Sequence, residues 1–314
     1  MLTAALLAYA TLVGSVGVRL LRGRRWLEAA PRVGVLVWLV LSGTIPLSIL
    51  AASLSILTAT SAGHSIVDLL HACITALRTT FTGSLPPTGA ILLGVGLGAV
   101  VLRVGALFTT ELTRGHFARR AHRTQLRLVA SRLVTDEELL VVDHPLPLAF
   151  CLPGRARTVV VTSATIASLS AVELSAVLAH ERAHLRGRHH LVLAWSRAVA
   201  RGLPFLPDLQ LVTSEQASLL EMAADDRAAH SSSPQAVATA LLRLVDVPFG
   251  VHALNAVHDA VSARVARLVT PGRPTRRITT VTALAAFTVL SFVPAALVSL
   301  AWVTAARAGH CSID

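Results

Sequence analysis

One short segment carries residues whose types and spacing can bind a metal and hydrolyse a bond: the H-E-x-x-H run at 180–184. Histidines four residues apart share one face of a helix, so His180 and His184 can bind a single Zn²⁺. Glu181 projects beside them, where it can accept a proton from an activated water and later pass it to a leaving amine. The pattern predicts a zinc site with two imidazole ligands and one general base.

A catalytic zinc needs a third protein ligand and an open position. The motif E-M-A-A-D at 221–225 follows in a stretch that favours helix. Glu221 can complete the coordination, and Asp225, one turn later, can accept a hydrogen bond from a ligand histidine and fix its tautomer. A solvated acidic helix face remains the alternative for this motif.

The elements that position these residues are short strands followed by helices. Ser170 and Glu173 form an S-x-x-E capping box, which predicts the start of the helix that carries His180 and His184. Strands are predicted at 138–143, 147–151 and 157–162, and further helices at 111–133, 208–230, 234–246 and 256–269.

The composition indicates a membrane protein. Hydrophobic residues make up 54% of the chain and charged residues only 14%, against about 25% charged in soluble proteins. A bilayer-spanning helix needs about 20 apolar residues. Four stretches meet that length, at 2–21, 33–57, 88–110 and 279–304.

The arginines orient these spans. All 28 basic residues are arginine and the net charge is +11; they cluster beside apolar runs, which favours a membrane surface over nucleic acid as the partner. Arginines lie within the loop after the first span and near both ends of the segment 111–278. Both segments are therefore predicted to be cytoplasmic. The expected organisation is a membrane domain at 1–110, a cytoplasmic peptidase domain at 111–278, and a fourth span with a short external tail at 279–314. Both termini are then external to the plasma membrane.

The segment 148–189 resembles the core of the membrane zinc peptidases that include HtpX and the CAAX prenyl proteases. The shared features are the A-F-x-x-P-G turn, the apolar strand after it, and E-L-x-A-V-L-x-H-E-x-x-H. The later E-x-x-A-D and H-x5-R-[IV] elements match 221–225 and 258–265. Three spans before the catalytic segment and one after it look more like the BlaR/MecR-type antirepressor peptidases.

The resemblance implies an α+β, mostly helical fold: four transmembrane helices with a gluzincin-like zinc peptidase domain inserted between the third and fourth. It implies one zinc per chain, held by His180, His184 and Glu221. It offers His258 as a stabiliser of the oxyanion, with a surface or core histidine as the equal alternative. The strand at 157–162 would be the sheet edge that pairs with substrate. His189 and His190 are interpreted as polar helix residues rather than ligands.

The predicted activity is therefore zinc-dependent hydrolysis of a protein substrate at the cytoplasmic membrane face. The resemblance favours a transcriptional repressor as substrate, and quality-control cleavage of membrane proteins is the alternative. A catalytically inactive transducer would not need Glu181, and a metal transporter would place its ligands within the spans. The expected partners are the protein substrate and the lipid bilayer, with no direct nucleic acid. The chain has no lysine for a Ser-x-x-Lys acylation site, which excludes covalent β-lactam sensing.

Cys73 and Cys311 are predicted to lie on the external side, where disulfides persist. A disulfide between them, two unrelated thiols, and a soft-metal site with His71 and His310 are the three hypotheses. Cys151 falls on the reducing side and is expected to be free.

Overall fold

The computed structural model describes residues 2–60, 87–133, 139–154, 157–245, 251–270, 285, 288–290 and 292–300. These residues are mostly helical with one small sheet, in agreement with the expected α+β, mainly helical class. The helices are α1 (Leu2–Leu21, π-helical at Val13–Gly17), α2 (Arg25–Ala29), α3 (Pro31–Thr60), α4 (Pro87–Val129), α5 (Ser163–Ser168), α6 (Ala171–Arg186), α7 (His189–Gly202), α8 (Leu209–Ser231), α9 (Pro234–Val245) and α10 (Val251–Val269). The strands are β1 (Ser131–Leu133), β2 (Leu139–Val142), β3 (Ala149–Leu152) and β4 (Thr158–Thr162).

Three of these helices are long and apolar enough to cross a membrane, over Leu2–Leu21, Pro31–Leu57 and Thr88–Leu126. They correspond to the first three predicted spans. Half of the predicted fourth span lies outside the described residues, and the described part includes a shorter apolar helix at Thr288–Leu300. The separate basic helix predicted at 111–133 is instead the second part of α4, because no proline or helix-ending motif interrupts the chain between span and basic segment.

The sheet has the order β1-β2-β4-β3. β4 pairs in parallel with β2 and antiparallel with β3, so the prediction that 157–162 forms an edge is wrong. All five residues of β4 are buried, and a continuous β-branched run is typical of a strand covered on both faces. The edge on this side of the sheet is β3, which has no second strand partner among the described residues.

The largest apolar cluster joins the spans to α7 and α8. Trp38 of α3, Leu203 after α7 and Leu209 of α8 are all at most 1% exposed within it. The backbones approach closely: a Cβ added at Gly34 would lie 2.9 Å from Leu219, so glycine allows α8 to pack on α3. The boundary at 110/111 stays a prediction, although α7, α8 and the spans share one core.

Polar contacts place α8 and α10 on one side of the spans. Arg19, at the end of α1, pairs with Asp208 at 2.9 Å. Arg267 of α10 donates to the backbone carbonyl of Glu28, in α2, at 3.0 Å. α8 and α10 therefore lie against the arginine-rich loop between α1 and α3.

Candidate metal centre

Helix α6 presents His180, Glu181 and His184, and its start is held in place. The Ser170 N–H donates to Glu173 Oε2 at 2.7 Å, and the Glu173 N–H donates to Ser170 Oγ, which completes the predicted capping box. Arg243 of α9 also donates to Glu173 Oε2, at 3.0 Å. A capping residue contributes about 1 kcal/mol to helix stability, and here it also fixes where the helix register begins.

Three possible ligands converge at this helix. His180 Nε2 and His184 Nε2 are 3.1 Å apart. Glu221 of α8 brings Oε2 to 3.5 Å from His180 Nε2 and Oε1 to 3.4 Å from His184 Nε2. One ligand atom from each of the three residues falls within 4.8 Å of the others. Two imidazole nitrogens and one carboxylate at this separation can hold a single metal ion.

Asp225 and Arg264 lie behind His180. Asp225 Oδ1 is 3.0 Å from His180 Nδ1, although the ring N–H is not well directed at it for a hydrogen bond. Arg264 donates to both Asp225 oxygens, at 2.7 and 2.6 Å. Its Nη1 also lies 3.1 Å from Glu221 Oε2. Arg264 therefore holds both the carboxylate behind His180 and the carboxylate of the third ligand candidate.

The sequence pattern marks the position of Arg264 but does not indicate its role. Its signal was the H-x5-R-[IV] element, in which an arginine stands among apolar residues of a helix. Its side chain is only 12% exposed, and buried arginines are almost always paired. That pairing required a carboxylate partner, which the sequence could not identify.

His189 approaches His184, the second candidate ligand histidine. Its Nδ1 lies 2.8 Å from His184 Nδ1. The sequence predicted only a polar helix residue here, and the structure adds this contact with His184. His189 is not one of the three residues that could hold the metal. Gly187 is needed for this contact, since a Cβ there would collide with the His189 ring. Arg188, with φ of 49°, turns the chain from α6 into α7. His190 has no contact with the ligand group among the contacts described.

Glu181 is next to Cys151, a free thiol on β3. Burial raises the pKa of Glu181, while the nearby His180 and a hydrogen bond with Cys151 lower it. Burial, followed by the Glu181 charge and this hydrogen bond, raises the pKa of Cys151 well above its usual range. The thiol therefore stays protonated and can donate to the Glu181 carboxylate.

The charges at the site depend on the two carboxylates. Burial opposes their ionisation, but hydrogen bonds and charges from His180 and Arg264 lower the pKa values of Glu221 and Asp225 to about 2. Burial likewise opposes protonation of His180, yet the neighbouring carboxylates of Asp225 and Glu221 raise its pKa to about 9. Burial lowers the pKa of His184. The group thus combines two carboxylates with one readily protonated imidazole.

The remaining predicted residues are not covered by the described side chains. His258 falls in α10, but its side chain is outside the described residues. Cys73 and Cys311, with His71 and His310, are also outside them. The oxyanion and disulfide hypotheses remain predictions.

The first expected result concerns Arg264. Arg264→Gln should lower metal affinity about 10–100-fold, the usual effect of losing a residue that orients a ligand. Arg267→Gln is the matched control, because Arg267 lies one turn along the same helix and pairs with Asp226 at 2.8 Å. Competition with a fluorescent chelator measures both variants. Equal affinities would show that Arg264 has no part in holding the ligands.

Comparison with known proteins finds one family whose profile matches part of the chain. Residues 117–245 match the profile of Peptidase family M48. The matched segment includes His180, Glu181, His184, Glu221 and Asp225, whereas Arg264 lies beyond it. No curated protein matches the chain significantly. The match indicates a metallopeptidase domain, and the three apolar helices indicate association with a membrane.

Proposed function

We propose that this protein is a membrane-embedded zinc endopeptidase that hydrolyses peptide bonds of a protein substrate at the cytoplasmic membrane face. The observation that carries the proposal is the convergence of His180, His184 and Glu221 within 4.8 Å, with Glu181 on the same helix. The family match supports the peptidase class.

The donor set fits zinc. Neutral imidazoles and a carboxylate are its usual nitrogen and oxygen ligands, and two histidines with one glutamate leave a position open, as catalytic sites require. Asp225 and His189 lie against the outer nitrogens of the two histidines, at 3.0 and 2.8 Å, and so orient the rings. When bound, zinc would supply Lewis acidity, which polarises a carbonyl and lowers the pKa of water.

Glu181 transfers the proton. As the general base it accepts a proton from the attacking water, and it then delivers that proton to the amide nitrogen as the peptide bond breaks. Its burial favours this function because a raised pKa lets the protonated acid form during turnover. Cys151 stabilises the ionised form by donating its S–H.

The sheet has an edge strand, β3, with which a substrate chain can pair. β3 is the sheet edge beside α6, and its residue Ala149 lines a cavity of about 180 Å³ together with His180, Glu181 and Glu221. An extended peptide can add to such an edge through main-chain hydrogen bonds. The far wall of the cavity is apolar, formed by Val177, Val237, Ala240, Leu241 and Leu244. We therefore propose an apolar substrate side chain next to the scissile bond.

The cytoplasmic placement rests on the arginine distribution and on the contacts of the catalytic helices with the loop between α1 and α3. A transcriptional repressor as the substrate rests on the resemblance to the BlaR/MecR-type antirepressor peptidases. Cleavage on the cytoplasmic side is compatible with that substrate class.

Topology is the second expected result. Reporter fusions after residue 30 and within 157–245 should read cytoplasmic, and a fusion near residue 65 should read external, because arginine-rich loops stay inside. Paired alkaline phosphatase and fluorescent protein fusions at each site give the readout. An external catalytic segment would contradict both the orientation and a cytoplasmic substrate.

The third expected result tests the activity itself. Purified protein incubated with an unfolded, apolar-rich protein should cleave it, lose this activity on chelation of divalent metal, and regain it with about one equivalent of Zn²⁺. Mass spectrometry of the products should place apolar residues at the cut. Cleavage that persists after complete metal removal would exclude a metallopeptidase.

A further inference from the structure

A second cavity, of about 450 Å³, lies between α3 and the catalytic helices α6, α7 and α8. Its volume is in the range of ligand pockets, roughly 300–1,000 Å³. It shares no lining residue with the cavity beside β3: on α6 it is lined by Ala183, Arg186 and Gly187, near the end of the helix, whereas Ala176, Val177, His180 and Glu181 line the other cavity. It is therefore separate from the proposed substrate site.

The charge in this cavity has one sign. Arg32, Arg186 and Arg227 line it, and the lining has no carboxylate. Within the described part of the chain, the side chains of Arg32 and Arg227 form no ion pair. Asp226, which neighbours Arg227, is already paired with Arg267 at 2.8 Å. An anionic group would therefore meet two available guanidinium groups and a third nearby.

The other end of the cavity is apolar and lies along a span. Val35, Leu36 and Leu39 follow one face of α3 and line the cavity with Leu220. α8 runs antiparallel to α3, since Arg267 contacts both Asp226 and the backbone of Glu28 while Leu219 faces Gly34 further along. The arginine end thus lies where α3 begins, and the apolar end lies deeper along the span.

We propose that this cavity binds one anionic phospholipid of the surrounding membrane, with its headgroup between the arginines and an acyl chain along Leu36 and Leu39. A guanidinium recognises phosphate oxygens through paired N–H donors, and the apolar wall suits an acyl chain but not a soluble anion. The bound lipid would contact His189, which lines the cavity and touches His184.

The test measures lipid binding by the full chain. Native mass spectrometry of the detergent-solubilised protein, titrated with phosphatidylglycerol or phosphatidylcholine, gives the affinity of the first lipid. The wild type should prefer phosphatidylglycerol. Arg32→Gln/Arg227→Gln should bind it about 30-fold more weakly, because each basic group near an anionic headgroup contributes about fivefold. Arg22→Gln/Arg25→Gln, which removes the same charge at two exposed arginines between α1 and α3 that do not line the cavity, should change the affinity by no more than about threefold.

A second variant separates a lipid from other anions. Leu36→Trp keeps all three arginines and places a ring at a position that is 51% exposed, so it tests the cavity even if the double variant does not fold. It should weaken phosphatidylglycerol binding about as much. Equal binding of both lipids by the wild type, unchanged binding in Arg32→Gln/Arg227→Gln or Leu36→Trp, or displacement of the lipid by equimolar glycerol phosphate or a glutamate-rich peptide would each overturn the proposal.

Discussion

Glu181→Gln should lower kcat/KM for protein cleavage about 10²–10⁴-fold, the usual contribution of a positioned acid–base group, while the metal remains bound. Glutamine fills the same volume but cannot accept and return a proton. Glu181 is absent from the group His180, His184 and Glu221 that can hold the metal, so chemistry and binding should separate. Cleavage rates and metal content from the same preparations give both measurements.

Glu28→Gln is the control for this change. It makes the same carboxylate-to-amide substitution at an exposed residue whose known contact, with Arg267, uses the backbone carbonyl. Its activity should equal that of the wild type. Retained cleavage in Glu181→Gln would reject Glu181 as the base, and absence of cleavage in the metal-loaded wild type would favour a non-catalytic transducer.

Local spacing explains why much of the site could be predicted. His180 and His184 share a helix face because four residues make about one turn, and Glu221 and Asp225 share one for the same reason. The capping box marked the start of α6 about three turns before His180, and the structure has it there. These relations depend only on residues close in the chain.

The remaining features depend on tertiary contacts between distant segments. Arg264 is 39 residues from Asp225, and nothing local links the two. The prediction that β4 is the edge was wrong. An apolar strand can pair with a neighbour on one side or on both, and β4 pairs with β2 on one side and β3 on the other. α4 continues through the predicted boundary at 110/111 because helix propensity persists while only hydropathy changes.

Metal binding should fail when a ligand is removed. His184→Ala and Glu221→Ala should each lower zinc affinity by more than about 100-fold, since losing even an orienting residue costs about 10–100-fold. His230→Ala is the control, because His230 is exposed near the end of α8, the helix that carries Glu221. Metal analysis after dialysis against a weak chelator measures occupancy. Full occupancy in Glu221→Ala would remove that residue from the site.

The affinity for zinc should also depend on pH, because His180 carries a proton that zinc must displace. A histidine must be neutral to coordinate zinc, and the pKa of His180 is raised to about 9, so zinc displaces a proton at any pH below that value. Burial and the neighbouring His184 lower the pKa of His189 to about 4, burial lowers that of His184, and Glu221 ionises near 2. Zinc should therefore displace the His180 proton between pH 6 and 8, and affinity should rise with pH by roughly tenfold per unit from this group. Calorimetry at pH 6.5 in two buffers with different ionisation enthalpies should find about one proton released per zinc. An affinity that does not change with pH in this range would show that His180 is already neutral and that Asp225 does not hold a proton on it.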